Sequence, residues 1–220
     1  SNEALYLVTT LLVDHLGLEV VVPVEPGQPR RMKNGRRQWI DSADAHPNSA
    51  GARLLGLPLV DRAELAAFVG RGGPLLILDE RAHPWLASDE AAAAVAGRAV
   101  AIAARRESAL SRAATLLLPA ASWVETTGSY TSSTGRVQLA RQALPPAGLA
   151  WPVWRMLHAL GKELGLLPAA DARPEHLFGE LAANVPAFTG MSYRGLPAGP
   201  GLPVAAEVSA PDRPRGIGVH

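Results

Sequence analysis

The chain has 220 residues, of which 48% are hydrophobic and 19% charged, enough apolar material for one large core or two small ones. Its net charge of +1 gives no positive field for a nucleic-acid backbone. The absence of cysteine excludes disulfides, thiolate catalysis and cysteine-ligated iron–sulfur clusters within these residues. The histidines are scattered and form no HExxH pattern, so we expect no metal site.

Neither a targeting segment nor a nucleic-acid site is expected from the charge pattern. The start lacks the basic region of a signal peptide, and the longest apolar stretch is interrupted by Arg98. We therefore expect no transmembrane helix. One cationic cluster stands out, and we interpret it as a solvated hairpin or loop because no aromatic residues interleave it for base stacking. It consists of Arg30, Arg31, Lys33, Arg36 and Arg37.

The first part of the chain predicts two helices and a strand. Apolar spacing predicts a helix over 3–16, and β-branched residues predict a strand over 18–24. Residues 49–55 are predicted as a short helix, with Asn48 or Ser49 as its N-cap.

Helices and apolar strands then alternate. Asp61 is predicted to cap a helix that ends at Val69, with Glu64 completing a capping box. Continuous apolar runs predict buried strands over 75–79, 98–103 and 115–118, with helices over 88–96 and 107–114 between them. This alternation predicts an α/β fold in which a Rossmann-like parallel sheet is covered by helices.

After Pro119 the chain changes character. Residues 120–138 are rich in Gly and small polar side chains, which is typical of a long ordered loop or a hairpin. Helices are predicted over 151–164 and 174–183. From residue 196 onward the many Pro and Gly residues favour an extended or disordered tail.

The search for a catalytic motif finds none. No GxGxxG, Walker or GxSxG pattern is present. Asp79 and Glu80 follow a predicted parallel strand, at the edge where open α/β sheets bind ligands, so they could hold a ribose or act as an acid–base pair. Equally, such carboxylates cap helices or point into solvent.

Of all the segments of the chain, 128–138 most resembles a ligand-binding site, because it contains several polar side chains in succession. Hydroxyl groups at 131–134, followed by Arg136 and Gln138, could hold a polar anion. The same residues could instead satisfy their own backbone through Ser and Thr turns, and the residue types alone favour this second interpretation.

Residues 115–165 resemble the late part of the molybdopterin oxidoreductase family. The resemblance rests on the Leu-Pro-Ala-Ala segment before Glu125, on Gly128, on Gly-Arg-Val-Gln at 135–138, and on the helix that ends at Gly165. Within the family, the closest likeness is to the large subunit of bacterial NADH:quinone oxidoreductase, respiratory complex I. That likeness is carried by SNEALYL at 1–7, ADAHPNSAGARLLG at 43–56 and FGELAANVPAFTGMSY at 178–193.

The resemblance implies a non-catalytic structural part of a larger electron-transfer polypeptide. We expect an α/β domain over 1–165, a short helical extension over 166–195 and a Pro/Gly-rich tail over 196–220. The resemblance implies iron–sulfur clusters in upstream domains and no cofactor, molybdopterin included, in this stretch. The partners it implies are the other domains of the parent polypeptide and other complex I subunits, with no nucleic acid. The complex would hold the chain at the cytoplasmic face of the cell membrane.

Two other functions stay open at this point. In a molybdoenzyme such as formate dehydrogenase, a pterin dinucleotide would be lined by Gly128, Thr131, Ser132, Gly135 and Arg136. In a freestanding α/β module, Asp79 and Glu80 would bind a polar ligand. Against the molybdoenzyme, Ser132 and Thr134 replace the Asn and Glu of the family pattern, and the acidic pair would repel a pyrophosphate.

Overall fold

Three parallel strands form a sheet in the computed structural model, which describes residues 1–25, 30–34, 37–41, 46, 48–78, 84–105, 107–196 and 201–205. The strands are β5 (Leu75–Leu78), β6 (Ala99–Ala103) and β7 (Leu116–Pro119), in the order β5-β6-β7. The register places Leu76 beside Val100 and Val100 beside Leu116. The predicted α/β class and all three strands of this sheet are confirmed.

Helices cover one face of this sheet. They are α3 (Arg62–Gly70), α4 (Asp89–Val95) and α5 (Ala109–Ala113). Their apolar side chains pack with alternate strand residues such as Ala99 and Ala101, both fully buried. The predicted capping box of Asp61 and Glu64 is present, with each side chain bonded to the other residue's backbone N–H.

The opposite face is less covered than the continuous apolar runs predict. Leu76 is 37% exposed and Leu116 is 50% exposed, although they lie on one row with Val100. Further along the strands, Ile102 is buried, and Leu78 packs against a buried apolar cluster that includes Leu12, Leu57 and Leu157. The apolar pattern therefore identified the strands correctly, but it overestimated their burial at the N-terminal end of the sheet.

The N-terminal helix changes its winding. Residues of α1 (Asn2–Leu7) continue into a π-helix (Val8–His15), and Gly17 ends it with a φ of 64°. This confirms a helix over the predicted range, but its second half has π winding that apolar spacing alone did not reveal.

A short parallel pair follows. Of the predicted strand over 18–24, β1 (Val22–Pro23) alone takes strand geometry, pairing with β4 (Leu59–Val60). Between them lie α2 (Ser49–Leu54) and an antiparallel hairpin of β2 (Arg30–Asn34) and β3 (Arg37–Asp41), so much of the cationic cluster lies on a hairpin.

The remaining elements form an antiparallel sheet and two helices. The sheet has the order β10-β9-β8, made by β8 (Gly128–Thr131), β9 (Arg136–Ala140) and β10 (Leu202–Pro203). The helices are α6 (Val153–Glu163) and α7 (Pro174–Asn184), and Pro174 occupies the first turn of α7 as predicted.

One apolar core joins distant parts of the chain. Phe178 and Phe188 are fully buried and meet edge to face, with ring centroids 6.2 Å apart. Tyr6 from α1, Val137 from β9 and Leu196 pack into the same cluster. The described residues from Phe178 to Leu196 are therefore packed against β9 and α1, which precede them in the chain.

No helix among the described residues is long and apolar enough to cross a membrane.

Truncating Phe178 tests this shared core. We expect Phe178→Ala to lower the free energy of unfolding by about 3–5 kcal/mol, because it removes a buried ring and leaves a cavity. Denaturant unfolding measures the loss. The control is Leu149→Ala at a side chain that is 86% exposed, where we expect a change within about 0.5 kcal/mol. Equal effects of the two substitutions would contradict the packing described above.

Candidate functional site

The candidate site lies where the starts of α1 and α2 meet strand β8. These three elements pack directly on one another. Strand β8 is at the edge of its sheet, so its outward N–H groups, those of Ser129 and Thr131, have no partner strand. Side chains of the two helices bond to these groups.

Glu3 satisfies the first of these donors. Its carboxylate is fully buried and accepts the Ser129 N–H at 2.9 Å on Oε1 and at 3.1 Å on Oε2. The Tyr193 hydroxyl donates to the same Oε1 at 2.7 Å. Burial, and next the negative charge of Glu3, raise the pKa of Tyr193 far above its usual value, so the phenol keeps its proton and remains a donor.

Asn48 satisfies the second donor. Its side-chain Oδ1 accepts the Thr131 N–H at 2.6 Å. Asn48 has a φ of 66°, a left-handed conformation that Asn tolerates better than most residues. The predicted N-cap position of α2 is confirmed, because Asn48 occupies it. Its side chain makes no capping bond, however, because it is directed to β8.

Asn2 links the two halves of the arrangement. Its Nδ2 donates to the Ser129 hydroxyl at 3.1 Å, and its Oδ1 accepts from the Thr131 hydroxyl at 3.2 Å. All three side chains are buried, with at most 1% exposed. We call the set of Asn2, Glu3, Asn48, Ser129, Thr131 and Tyr193 the edge network.

Two glycines allow the backbones to approach this closely. A Cβ on Gly51 would overlap Asn2 Oδ1 and lie 2.7 Å from Asn48 Oδ1. A Cβ on Gly128 would lie 2.7 Å from Cβ of Ser1 and 3.2 Å from Glu3 Oε2. Neither position has room for a side chain while the edge network is formed.

The other end of the β8–β9 hairpin is a tight turn. Gly135 has a φ of 69°, and the Ser132 N–H donates to the Arg136 carbonyl at 2.9 Å. The Arg136 N–H donates to the Ser132 hydroxyl at 3.1 Å, and the Arg136 guanidinium donates to the carbonyl of Gly201 beside β10. Arg136 thus ties the C-terminal strand to the hairpin.

Residues 89–163 match the family model of the molybdopterin oxidoreductases. No curated protein matches the chain. The matched range runs from α4 to the end of α6, so it includes β6, β7 and the whole β8–β9 hairpin. It excludes α1, α2 and Tyr193, which supply the side chains that bond to β8.

The structure divides the predicted ligand residues into two groups. Gly128 and Thr131 lie in or against the buried edge network, whereas Ser132, Gly135 and Arg136 belong to the hairpin turn. The other predicted pair, Asp79 and Glu80, lies outside the described residues. Among the described residues no group of three or more His, Asp or Glu side chains could hold a metal ion.

The β8 end of the hairpin does not fit the pterin dinucleotide of a molybdoenzyme. Both Thr131 donors already bond to Asn2 and Asn48, and Glu3 fills the space against Gly128. A pyrophosphate there would meet a buried carboxylate and no unused donor of Thr131. This region stabilises the hairpin rather than presenting it to a ligand.

Sequence reasoning did not select the helix side of this site. The family resemblance alone points to Asn2 and Glu3, the local pattern suggests Asn48 only as a helix cap, and no pattern assigns chemistry to Tyr193.

Glu125, another residue of the family pattern, has a similar structural role. Its Oε2 accepts the backbone N–H and the hydroxyl of Ser122, each at 2.8 Å, which closes a capping box between β7 and β8. The backbone bond from Ser122, and next the hydroxyl bond, hold the pKa of Glu125 below its ordinary value of 4.5.

Removing the Glu3 carboxylate tests the edge network. We expect Glu3→Ala to lower the free energy of unfolding by about 3 kcal/mol, because it leaves the Ser129 N–H and the Tyr193 hydroxyl buried without an acceptor. Glu3 Oε1 accepts hydrogen bonds from both the Ser129 N–H and the Tyr193 hydroxyl. The amide oxygen of Glu3→Gln can take its place, so we expect this variant to recover more than half of the lost stability. Chemical denaturation measures both. Glu163→Ala, at an exposed glutamate, is the matched control, and a Glu3→Ala effect no larger than that control would refute the network.

The lowered pKa of Glu125 predicts a dependence on pH. A carboxyl group whose pKa is lowered in the folded state stabilises the fold when the pH is above its ordinary pKa of 4.5. This stability is lost as the pH falls through the folded-state pKa. We expect Glu125→Gln to melt below the unsubstituted chain at pH 7 and to converge with it in acid. Melting temperatures between pH 7 and pH 3 measure this convergence, with Glu163→Gln as the control. A gap that stays constant with pH would show that the carboxylate charge contributes nothing.

Proposed function

We propose that this chain is a non-catalytic structural domain of the large subunit of NADH:quinone oxidoreductase, and that it carries no molybdopterin. In this role it holds together the part of the subunit that surrounds an electron path from NADH to quinone. The iron–sulfur clusters would lie in other domains of the same polypeptide.

The proposal rests on the hydrogen bonds that the polar residues of the family-like segments make. The segments that resemble the complex I large subunit supply Asn2, Glu3, Asn48 and Tyr193, and the matched family range supplies Ser129 and Thr131. Each of the six side chains or backbones bonds to at least one of the others inside the fold. A molybdoenzyme needs donors of this kind to face its cofactor, so their internal use supports a fold that has kept its architecture without that ligand.

The proposal places the chain among the other subunits of the complex, on the cytoplasmic face of the cell membrane. The partners are then the other domains of the parent polypeptide and the neighbouring subunits, and nucleic acid is not among them. The partly exposed row of Leu76, Val100 and Leu116 on the β5–β7 sheet supports a buried position in an assembly, because parallel sheets are ordinarily covered on both faces.

The direct test uses source-cell membranes and an antibody to this chain. On a native gel stained for NADH dehydrogenase activity, with a denaturing second dimension, we expect the antigen to co-migrate with the activity as a larger polypeptide. Molybdenum in that purified complex should be far below one atom per polypeptide. Stoichiometric molybdenum and pterin would support a formate-dehydrogenase-like enzyme instead, and a small antigen running away from the activity would favour a freestanding module.

A structural role also predicts how a network variant behaves in the complex. We expect Glu3→Ala in the parent polypeptide to reduce the amount of assembled complex, while NADH oxidation per assembled complex stays unchanged. Quantifying the complex by native gel and dividing the membrane activity by that amount separates the two effects. Glu163→Ala should alter neither quantity. A variant that assembles normally but turns over more slowly would indicate that the edge network takes part in the chemistry.

A further inference from the structure

The hairpin of β2 and β3 stands apart from the rest of the described fold. Its two strands form a sheet of their own, in register from Arg30 opposite Asp41 to Asn34 opposite Arg37. No other described helix or strand packs closely on either strand. A two-stranded hairpin is only marginally stable by itself in water. Pairing with a strand of another chain would therefore stabilise it.

Basic residues are concentrated on this hairpin. Residues 30–41 contain five Lys and Arg residues and one acidic residue, a net charge of +4, whereas the whole chain has a net charge of +1. The rest of the chain therefore carries a net charge of −3. Within the hairpin the positive charge lies on one strand: β2 contains Arg30, Arg31 and Lys33, whereas the one basic and one acidic residue of β3 cancel. The open edge of the hairpin along β2 is thus strongly cationic.

The open edge of β2 can accept one more strand. About half of its backbone N–H and C=O groups point away from β3, because successive groups of an antiparallel strand alternate in direction. No described strand pairs with β2 on that side. An extended segment can bond to these groups by strand addition. Charge decides which segment fits: β2 of a second copy brings the same cations and is repelled, whereas a strand that carries carboxylates is attracted.

We propose that the open edge of β2 binds an extended acidic segment of a partner protein by strand addition. Backbone hydrogen bonds to β2 provide the affinity, and the charges of Arg31 and Lys33 select carboxylates on the added strand. These two residues share one face of the hairpin, because residues two positions apart lie on the same face of a strand. Acidic residues at alternate positions of the partner strand have the same spacing, so they match this pair.

A titration of the whole chain with a fluorescent, terminally blocked peptide of five Thr-Glu repeats tests the proposal. We expect saturable binding, about tenfold or more tighter than binding of the Thr-Gln peptide of the same length, because the neutral peptide lacks the complementary charge. An analogue of the Thr-Glu peptide with every backbone nitrogen methylated keeps the charges but has no N–H donor, and it should also bind about tenfold or more weakly.

Two results of this titration would overturn the proposal. Equal binding of the methylated analogue would show that strand addition plays no part. Tighter binding of a ten-residue oligothymidylate than of the Thr-Glu peptide would assign the hairpin to nucleic acid instead.

The lysine content of the chain allows the site to be located chemically. Lys33 on β2 and Lys162 on α6 are its only lysines, and Lys162 lies 3.5 Å from Asp171. A carbodiimide joins a lysine amine to a carboxylate in contact with it, forming an amide while the carbodiimide takes up the water. We expect the Thr-Glu peptide to be cross-linked to Lys33, as read by mass spectrometry of the digested product. Cross-linking at Lys162 to an equal or greater extent would overturn the proposal.

Charge-neutralising variants separate the hairpin from other cations. We expect the double variant Arg31→Gln, Lys33→Gln to bind the Thr-Glu peptide about fivefold or more weakly, because it loses two ion pairs. The matched control is Arg105→Gln, Arg141→Gln, at two exposed arginines outside the hairpin, which should leave the affinity within about twofold. Lys33→Arg should keep the affinity and lose the cross-link. Equal weakening in the hairpin and control variants would overturn the proposal.

Discussion

The open edge of strand β8 is the constraint on which the rest of this arrangement depends. An edge strand carries backbone donors that have no neighbouring strand, and burying them unpaired is costly. Here Glu3 and Asn48 accept the outward N–H groups of Ser129 and Thr131. The helices that supply these side chains are therefore held against the sheet at fixed positions. The same constraint explains why glycine occupies positions 51 and 128, because a side chain at either position would push the helices away from β8.

The edge network also connects the family match to the rest of the chain. The matched range contains β8 but none of the residues that close its edge. Those residues come from the N-terminal helix, from α2 and from the segment after α7. The bonds of Glu3 and Asn48 to β8 each span more than 80 positions, so the matched range depends on parts of the chain that lie outside it.

Local signals in the sequence predicted most of the secondary structure. The capping box at Asp61 and the apolar strands from Leu75 to Leu118 depend on residues within a few positions of one another, and the structure confirms them. The π winding of Val8–His15 could not be predicted, because the apolar spacing of a helix does not report its hydrogen-bond pattern. The strand Leu202–Pro203 was also hidden, since its Pro and Gly context is typical of a tail.

The candidate site was harder to predict for a physical reason. The bond between Glu3 and Ser129 spans 126 positions, and that between Tyr193 and Glu3 spans 190. Periodicity and spacing cannot show such contacts. The hydroxyl-rich segment 128–138 was correctly singled out as unusual, and the interpretation that its polar groups satisfy the chain itself describes Thr131 and Arg136. What the residue types could not show is that a helix at the far end of the chain completes the arrangement.

Amide hydrogen exchange of Ser129 and Thr131 measures whether the edge network closes β8 in solution. These two amides face away from β9, so only the side chains of Glu3 and Asn48 protect them. If the edge network is formed, both amides should exchange as slowly as those of β6. The Asn48→Ala substitution should increase the exchange rate of the Thr131 amide and leave the exchange rates of the β6 amides unchanged. If Ser129 and Thr131 exchange as fast as exposed loop amides in the unsubstituted chain, Glu3 and Asn48 do not bond to them and the edge network is not formed.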